Sequence, residues 1–370
     1  TPEGKRDMVK AAVLYETNQP LVIEDVEQDP PKAGEVRVNT GAAGLCASDI
    51  HIMHGTAAMA LPVVLGHEGA GTVAEVGPGV TSVKSGDRCI LSFVSNCGHC
   101  SMCRSGLPNL CDTNMATGAK QFDGTVRLHS GDTEIHQMAK LGVFAESIVV
   151  PQQACHPMPD EVPMDVAALI GCCVTTGVGA VINSPAIKPG ATVAVFGCGG
   201  VGLNAIQGAK LMNASRIIAV DIFDHKLEFT YKFGATDVVN SRDVDAVEAI
   251  RELTGGGVDM AFDTFGSPQT TAQSVNALRK NGTAVQVGLA PMGETAPIDI
   301  VDMVRNQKTL TGSYYGSVSP HETFSKIVDF YTRGLLDIES LITRHYNLDQ
   351  INEGFDALAR GEDARGVILY

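Results

Sequence analysis

Thr192-Val193-Ala194-Val195-Phe196-Gly197-Cys198-Gly199-Gly200-Val201-Gly202 is the stretch on which the reading of this chain turns. A compact apolar strand runs straight into glycines, and a helix-like stretch continues to Met212. Gly197 permits a tight turn, Gly199 lets the backbone approach a pyrophosphate, and Gly202 lets helix pack closely on strand. Gly200 and Val201 lie in the same turn, at a helix N-terminus that attracts phosphate charge. The next strand, Arg216-Ile217-Ile218-Ala219-Val220-Asp221, ends on a carboxylate about 20 residues further on. A carboxylate there accepts hydrogen bonds from ribose hydroxyls and repels a 2′-phosphate, which favours NAD over NADP. A glycine turn can be purely structural; the strand before it, the helix after it and Asp221 are what make this one a dinucleotide fingerprint.

Outward from this stretch, strands are expected at Asp237-Val238-Val239, Val258-Asp259-Met260-Ala261-Phe262 and Thr283-Ala284-Val285-Gln286-Val287, with helical stretches between them. Such alternation predicts a doubly wound parallel sheet. The first third has a different texture: short β-like runs such as Glu35-Val36-Arg37-Val38-Asn39, Gly71-Thr72-Val73-Ala74-Glu75-Val76 and Asp87-Arg88-Cys89-Ile90-Leu91, punctuated by glycine and proline. It reads as a strongly bent all-β region. The segment from Asp112 to Lys140 is polar and weakly periodic and reads as a long surface loop. No internal repeat or low-complexity tract is visible. With 370 residues the chain exceeds one usual core, so an α/β two-domain protein is expected.

Hydrophobic residues make up 44% and charged residues 19%, the balance of a soluble globular protein. A formal net charge of -15 argues against a nucleic acid or an anionic membrane as partner, because phosphates need a basic surface. No apolar stretch is read as reaching the roughly 18 residues of a membrane span. Thr1 to Asp7 is polar and lacks the apolar core of a signal peptide. Met8 reads as an original start, with the residues before it an extension of unknown origin. A cytosolic location is the simplest expectation, and there clustered thiols bind metal more often than they form disulfides.

Cys97, Cys100, Cys103 and Cys111 follow C-x2-C-x2-C-x7-C within a lobe spanning 95–112. Four thiolates at this spacing can close around one zinc ion, leaving no position for chemistry. An iron–sulfur cluster also takes four cysteines, but a further cysteine set with cluster spacing is absent. A second group is scattered: Cys46 in Gly44-Leu45-Cys46-Ala47-Ser48-Asp49-Ile50-His51, His67 in Gly66-His67-Glu68, and Cys172 in Gly171-Cys172-Cys173. By spacing alone these residues read equally well as core thiols and a structural histidine.

Taken in order, these segments resemble the zinc-containing, medium-chain alcohol dehydrogenase family over nearly the whole chain. The resemblance implies a β-rich, GroES-like catalytic domain at 8–173 and 314–370 and a Rossmann NAD-binding domain at 174–313. It implies two zinc ions per chain: a structural one on the four-cysteine lobe, and a catalytic one on Cys46, His67 and Cys172, with one position open. Cys172 is preferred to Cys173 because it directly follows Gly171. Asp49 matches the carboxylate that orients the histidine ligand, and Glu68 one that lies behind the zinc. Ser48 and His51 match a relay that carries the alcohol proton through the nicotinamide ribose to solvent. Thr176 is expected beside the nicotinamide, Val201 at the pyrophosphate turn, Lys226 at the adenosine ribose and Arg365 at the pyrophosphate. For Glu68, Asp49, His51, Lys226 and Arg365 the plainer alternatives are paired carboxylates, a surface histidine and solvated charges. One departure stands out: Ala47 occupies a position where many members carry Arg or His against the pyrophosphate, so a looser grip on NAD is expected.

By the same resemblance Ser48, Ala57, Phe93, Met138, Ala139 and Leu289 line the substrate pocket. Apart from Ser48 they are apolar, which favours a primary or aromatic alcohol and its aldehyde or ketone as the small-molecule partners. The formaldehyde-dehydrogenase branch, which acts on a thiol adduct, uses charged residues where this chain has Ala57 and Met115. A polyol-dehydrogenase reading is disfavoured by Cys172, and zinc-free quinone reductases lack both thiolate sets. A zinc-binding, NAD-sensing regulator is the alternative from another class. Thr309-Leu310-Thr311-Gly312-Ser313 resembles the strand through which family members pair, so a homodimer or homotetramer is expected.

Overall fold

Strand Thr192–Phe196 pairs in parallel with Arg216–Asp221 on one side and with Val258–Asp263 on the other. These belong to a computed structural model that describes residues 6–184 and 187–370. Among the described residues the sheet has six parallel strands, in the order Asp237–Asn240, Arg216–Asp221, Thr192–Phe196, Val258–Asp263, Leu278–Gln286 and Thr309–Gly312. Residues 193–196 are buried, as the unbroken apolar run requires. Strand order reverses at Thr192–Phe196, the place where such sheets bind their ligands. Local chemistry sets the helices between: Asp245 accepts from the Glu248 amide to start Ala246–Thr254, which ends on left-handed Gly255. Ser267 and Pro268 start Pro268–Asn276 in the same way.

This sheet forms one of two units, running Cys173–Val318. The other holds the chain up to Cys172 and again from Ser319 to Tyr370. Its strands Asp7–Leu14, Val22–Gln28, Leu128–Ser130, Thr133–Gln137 and Val63–Val64 close into a barrel. Beside the barrel lies a sheet of seven strands built around Glu35–Gly44. That strand pairs with Glu68–Val76, Ser147–Pro151 and the chain's last strand, Arg365–Leu369. Gly44 is opposite Glu68 on one side and Val367 on the other. Three segments far apart in sequence therefore end at one point, directly before Cys46.

Two expectations need correcting. The stretch from Asp112 to Lys140 is not a plain loop. It holds helix Asp112–Thr117 and a hairpin, Leu128–Ser130 with Thr133–Gln137, that helps close the barrel. The hairpin turns on Gly131 and Asp132, a two-residue signal hidden among polar neighbours. An apolar helical run of spanning length also exists, Met164–Ile182, but 83% of its apolar window is buried, as in a core helix. Separately, the residues before Met8 are in part built into the barrel. Arg6 pairs with Glu27 at 2.7 Å and Asp29 at 2.8 Å, and Asp7 already belongs to the first strand.

Candidate metal centres and cofactor turn

Cys46, His67, Glu68 and Cys172 are all buried, and their ligand atoms lie within 4.8 Å of one another. Cys46 stands at the N-terminus of helix Ala47–Met53, where its amide donates to Asp49 Oδ2 at 3.3 Å. Asp49 Oδ1 accepts from the Gly66 amide at 3.1 Å and lies 3.4 Å from His67 Nδ1. One fully buried carboxylate thus orients two donors. Cys172 lies in a widened, π-type turn, Ile170–Val174, inserted in the run Met164–Ile182. Such a turn adds a residue to the helix and re-aims side chains, and it is common at functional sites. Cys172 joins the cluster, whereas the Cys173 sulfur lies 3.9 Å from Asn204 Nδ2.

Glu68 Oε1 accepts from Arg365 Nη2 at 2.6 Å, while Oε2 is buried without a hydrogen-bond partner among the described residues. Burial raises the Glu68 carboxyl to about 8 against the pull of Arg365. Gly44 makes room for it, since a Cβ there would strike Glu68 Oε2. The Cys46 thiol is held well below its usual range, chiefly by a hydrogen bond from Cys172, with Arg365 and His67 adding. Burial opposes protonation of His67, but Asp49 and Cys46 outweigh it and raise its pKa well above the ordinary value. Two thiols, an imidazole and an unpaired carboxylate oxygen, already oriented, suit a divalent metal that replaces their protons.

The lobe brings Cys97, Cys100, Cys103 and Cys111 equally close. Backbone amides point at the sulfurs: Cys97 N to Cys111 at 3.3 Å, Cys100 N to Cys97 at 3.3 Å, Cys103 N to Cys100 at 3.5 Å, and Asn114 N to Cys111 at 3.4 Å. Burial opposes ionisation of Cys97, but Thr113 and the backbone amides of His99 and Cys100 bring it down to about 6, while burial pushes Cys103 up to about 12. Four adjacent thiols cannot all ionise without a cation among them. The donor set is closed and all sulfur, which fits structural zinc.

Ser48 and His51 share one face of helix Ala47–Met53. Ser48 Oγ lies 3.6 Å from the Cys46 sulfur, and His51 is exposed. Thr56 Oγ1 donates to the His51 carbonyl at 3.0 Å and lies 3.1 Å from His51 Nδ1. Its one proton being spent on the carbonyl, the hydroxyl accepts from Nδ1–H, and Nε2 is left as the basic nitrogen. Thr56 lies outside the motif that pointed to His51, so the sequence reading missed it. Phe93 meets His67 edge-on at 5.5 Å between ring centroids. Half-buried Ala57 and Ala139 and buried Met138 belong to the same unit as the cysteine cluster. Leu289 lies in the other unit and is 74% exposed. Met115 is 68% exposed on helix Asp112–Thr117.

In the second unit Gly197 turns the chain with φ +90°, and a Cβ on Gly202 would run into the Gly197 carbonyl. Helix Gly200–Leu211 starts at exposed Gly199, above which a Cβ would meet nothing within 4 Å. Asp221 Oδ2 accepts from the Cys198 amide at 2.8 Å and Oδ1 from the Ile222 amide at 2.7 Å, fastening the turn to the strand end. Lys226 Nζ lies over the Phe223 ring at 5.0 Å. Half-buried Thr176 sits on helix Thr175–Ile182, and Val201 on the helix that begins at the glycines. Arg365 is buried, with its guanidinium on Glu68 and the Leu45 carbonyl (2.9 Å), in the unit that carries both cysteine clusters.

Residues 32–160 match the model of an alcohol dehydrogenase GroES-like domain, and residues 200–333 that of a zinc-binding dehydrogenase. The NDMA-dependent alcohol dehydrogenase of Amycolatopsis methanolica is 38% identical over 366 residues, covering 98% of each chain. Among solved structures, benzyl alcohol dehydrogenase from Acinetobacter calcoaceticus is 32% identical with TM-score 0.94, covering 98% of this chain and 99% of that one. A zinc-binding dehydrogenase of Sinorhizobium meliloti bound to NADP is 28% identical with TM-score 0.82, covering 98% and 100%. With its thiol clusters, GroES-like barrel and glycine turn, this chain is an alcohol oxidoreductase and belongs to the zinc-containing, medium-chain alcohol dehydrogenase family.

Proposed function

We propose that the chain is a zinc-dependent, NAD-linked dehydrogenase interconverting a primary or aromatic alcohol and its aldehyde or ketone. The convergence of Cys46, His67 and Cys172 on one point, with Glu68 behind them, carries this reading. Those three residues would hold the zinc, which when bound would supply Lewis acidity to the alcohol oxygen, with NAD as the hydride acceptor. Asp49 keeps Cys46 and His67 in place, so the donors need no rearrangement. Ser48 Oγ, beside the sulfur cluster, would accept the alcohol proton while giving up its own to the ribose hydroxyl that NAD brings, and His51 Nε2, at the surface, would take the relayed proton on to water. Phe93, Met138, Ala57 and Ala139 give the substrate apolar walls, the chemistry that suits benzyl-like alcohols. The Asp221 carboxylate disfavours a 2′-phosphate and supports NAD, although one structural relative holds NADP.

Two further properties belong to the same reading. Strand Thr309–Gly312 ends its sheet with an open edge, and nearby Ile300 and Val304 are 76% and 71% exposed. We place a homo-oligomer contact on this face, because an open strand edge beside apolar surface invites a second copy. Among the described residues no cysteine is joined in a disulfide, in keeping with a proposed reducing, cytosolic location.

The test is an alcohol panel, with NAD or NADP, read by the absorbance of reduced nicotinamide. Benzyl and medium primary alcohols are expected to react, with NAD the better cofactor. No reduction with any alcohol would leave the regulatory reading. Activity confined to a formaldehyde–thiol adduct would favour the thiol-adduct branch, against the uncharged Ala57 and Met115. One relative is named for NDMA dependence, so a further arm supplies NDMA and alcohol without added NAD. Turnover in that arm alone would replace free NAD as oxidant. Light scattering on the same preparation tests the oligomer, which a single-chain mass would remove.

A further inference from the structure

Lys140 takes no part in the chemistry above, yet it is fully buried. It directly follows Met138 and Ala139. Ala139 (φ 55°) and Lys140 (φ 64°) are both left-handed, a conformation non-glycine residues rarely hold unless their surroundings impose it. The Lys140 ammonium donates to the carbonyls of Asn114 at 3.0 Å and Gly118 at 2.8 Å, at the C-terminal end of helix Asp112–Thr117. Its own carbonyl accepts from Gln121 Nε2 at 3.2 Å. At the other end of that helix, the Cys111 sulfur accepts from the Asn114 amide. The Cys111 sulfur thus caps the N-terminal end of the helix and the Lys140 ammonium its C-terminal end.

The charges reinforce the arrangement. Four thiolates around one divalent cation carry net negative charge, and a buried cation nearby offsets it. Burial lowers the Lys140 ammonium to about 8, and the neighbouring Cys111 opposes that fall. We propose that Lys140 is a positioning residue that locks the fourth cysteine of the closed metal site and the Met138–Ala139 wall of the alcohol pocket into one unit. The proposal rests on the reading of the lobe as a zinc site and of Met138 and Ala139 as pocket wall. Without the ammonium the lobe holds its metal less tightly, and the left-handed turn relaxes and reshapes the pocket.

The experiment compares the full-length parent, Lys140→Met and Lys140→Arg. Zinc release to a chromophoric chelator is followed well below the unfolding temperature, and KM is measured for a bulky aromatic and a small primary alcohol. Release from Cys46→Ser, where the lobe supplies the remaining phase, identifies which phase belongs to the lobe. In Lys140→Met that phase should quicken by at least about tenfold, and the ratio of the two KM values should shift. Lys140→Arg keeps the charge and should fall between Met and parent. A lysine that merely stabilised the fold would lower the melting temperature and leave both readouts unmoved, and that result overturns the proposal. Should Lys140→Met not fold, Lys140→Arg decides, and parent values for both readouts overturn it. A parent with no zinc on the lobe overturns the lobe's metal reading and the proposal with it; zinc retained but released equally fast in parent and Met variant overturns the proposal alone.

Discussion

The Nε2 of His51 is left to accept a proton, as the proposed relay needs, because Thr56 spends its hydroxyl proton on a backbone carbonyl. The motif around Cys46 made His51 legible. It said nothing of Thr56, whose role depends on how the helix end folds back. Replacing His51 with Gln should leave metal and cofactor bound and slow hydride transfer by about tenfold to a hundredfold, the low end for a general base that water can partly replace. The loss should shrink toward about pH 9, where hydroxide accepts the proton directly. Ser48→Ala should be slower at every pH, because it interrupts the route beside the sulfur cluster. Thr56→Val should resemble a mild His51→Gln. Pre-steady-state transients are the proper readout, since product release can mask the step. Parent rates for His51→Gln and Ser48→Ala between about pH 6 and pH 9 would make His51 a bystander.

At the scale of elements, helix Pro320–Thr332 is joined to strand Cys155–Pro157 by two histidines with Nδ1 atoms 3.0 Å apart. His321 Nε2 donates to the Gln153 carbonyl, so its Nδ1 accepts and His156 Nδ1–H donates. The arrangement requires His321 to be neutral, with its Nδ1 free to accept. Burial first, and then the His321 charge, bring His156 down to about 4, and burial lowers His321 too. Their unfolded values lie near 6.5, so between the folded and unfolded values the unfolded chain binds more protons. Stability is therefore full above about pH 6.5 and is lost as pH falls toward about 4, by on the order of 2 kcal/mol. His156→Gln should flatten the melting temperature across that window. A variant as acid-sensitive as the parent would show that the pair contributes nothing. Such pairing was beyond the sequence because the partners lie 165 residues apart. The same holds for Arg365 with Glu68, brought together only when the last strand docks beside Gly44. The Rossmann strands, by contrast, were legible because each is a short apolar run bounded by turns. The hairpin at Leu128–Gln137 was not, since its strands are brief and mostly polar.

At the scale of the whole molecule, chemistry is divided between two units. One carries both cysteine clusters with Ser48 and His51; the other carries the glycine turn and Asp221. Spacing alone exposed the four-cysteine lobe, because its ligands are local. Cys46, His67 and Cys172 come from three separate segments and became readable as one set only through their resemblance to a family pattern. Both clusters rest on the same claim, that their protons give way to metal ions. Elemental analysis of carefully purified, fully active protein tests that claim most directly. The account predicts two zinc ions per chain, falling to one in an inactive Cys46→Ser variant that still folds. One zinc or none in a parent of full activity would contradict it.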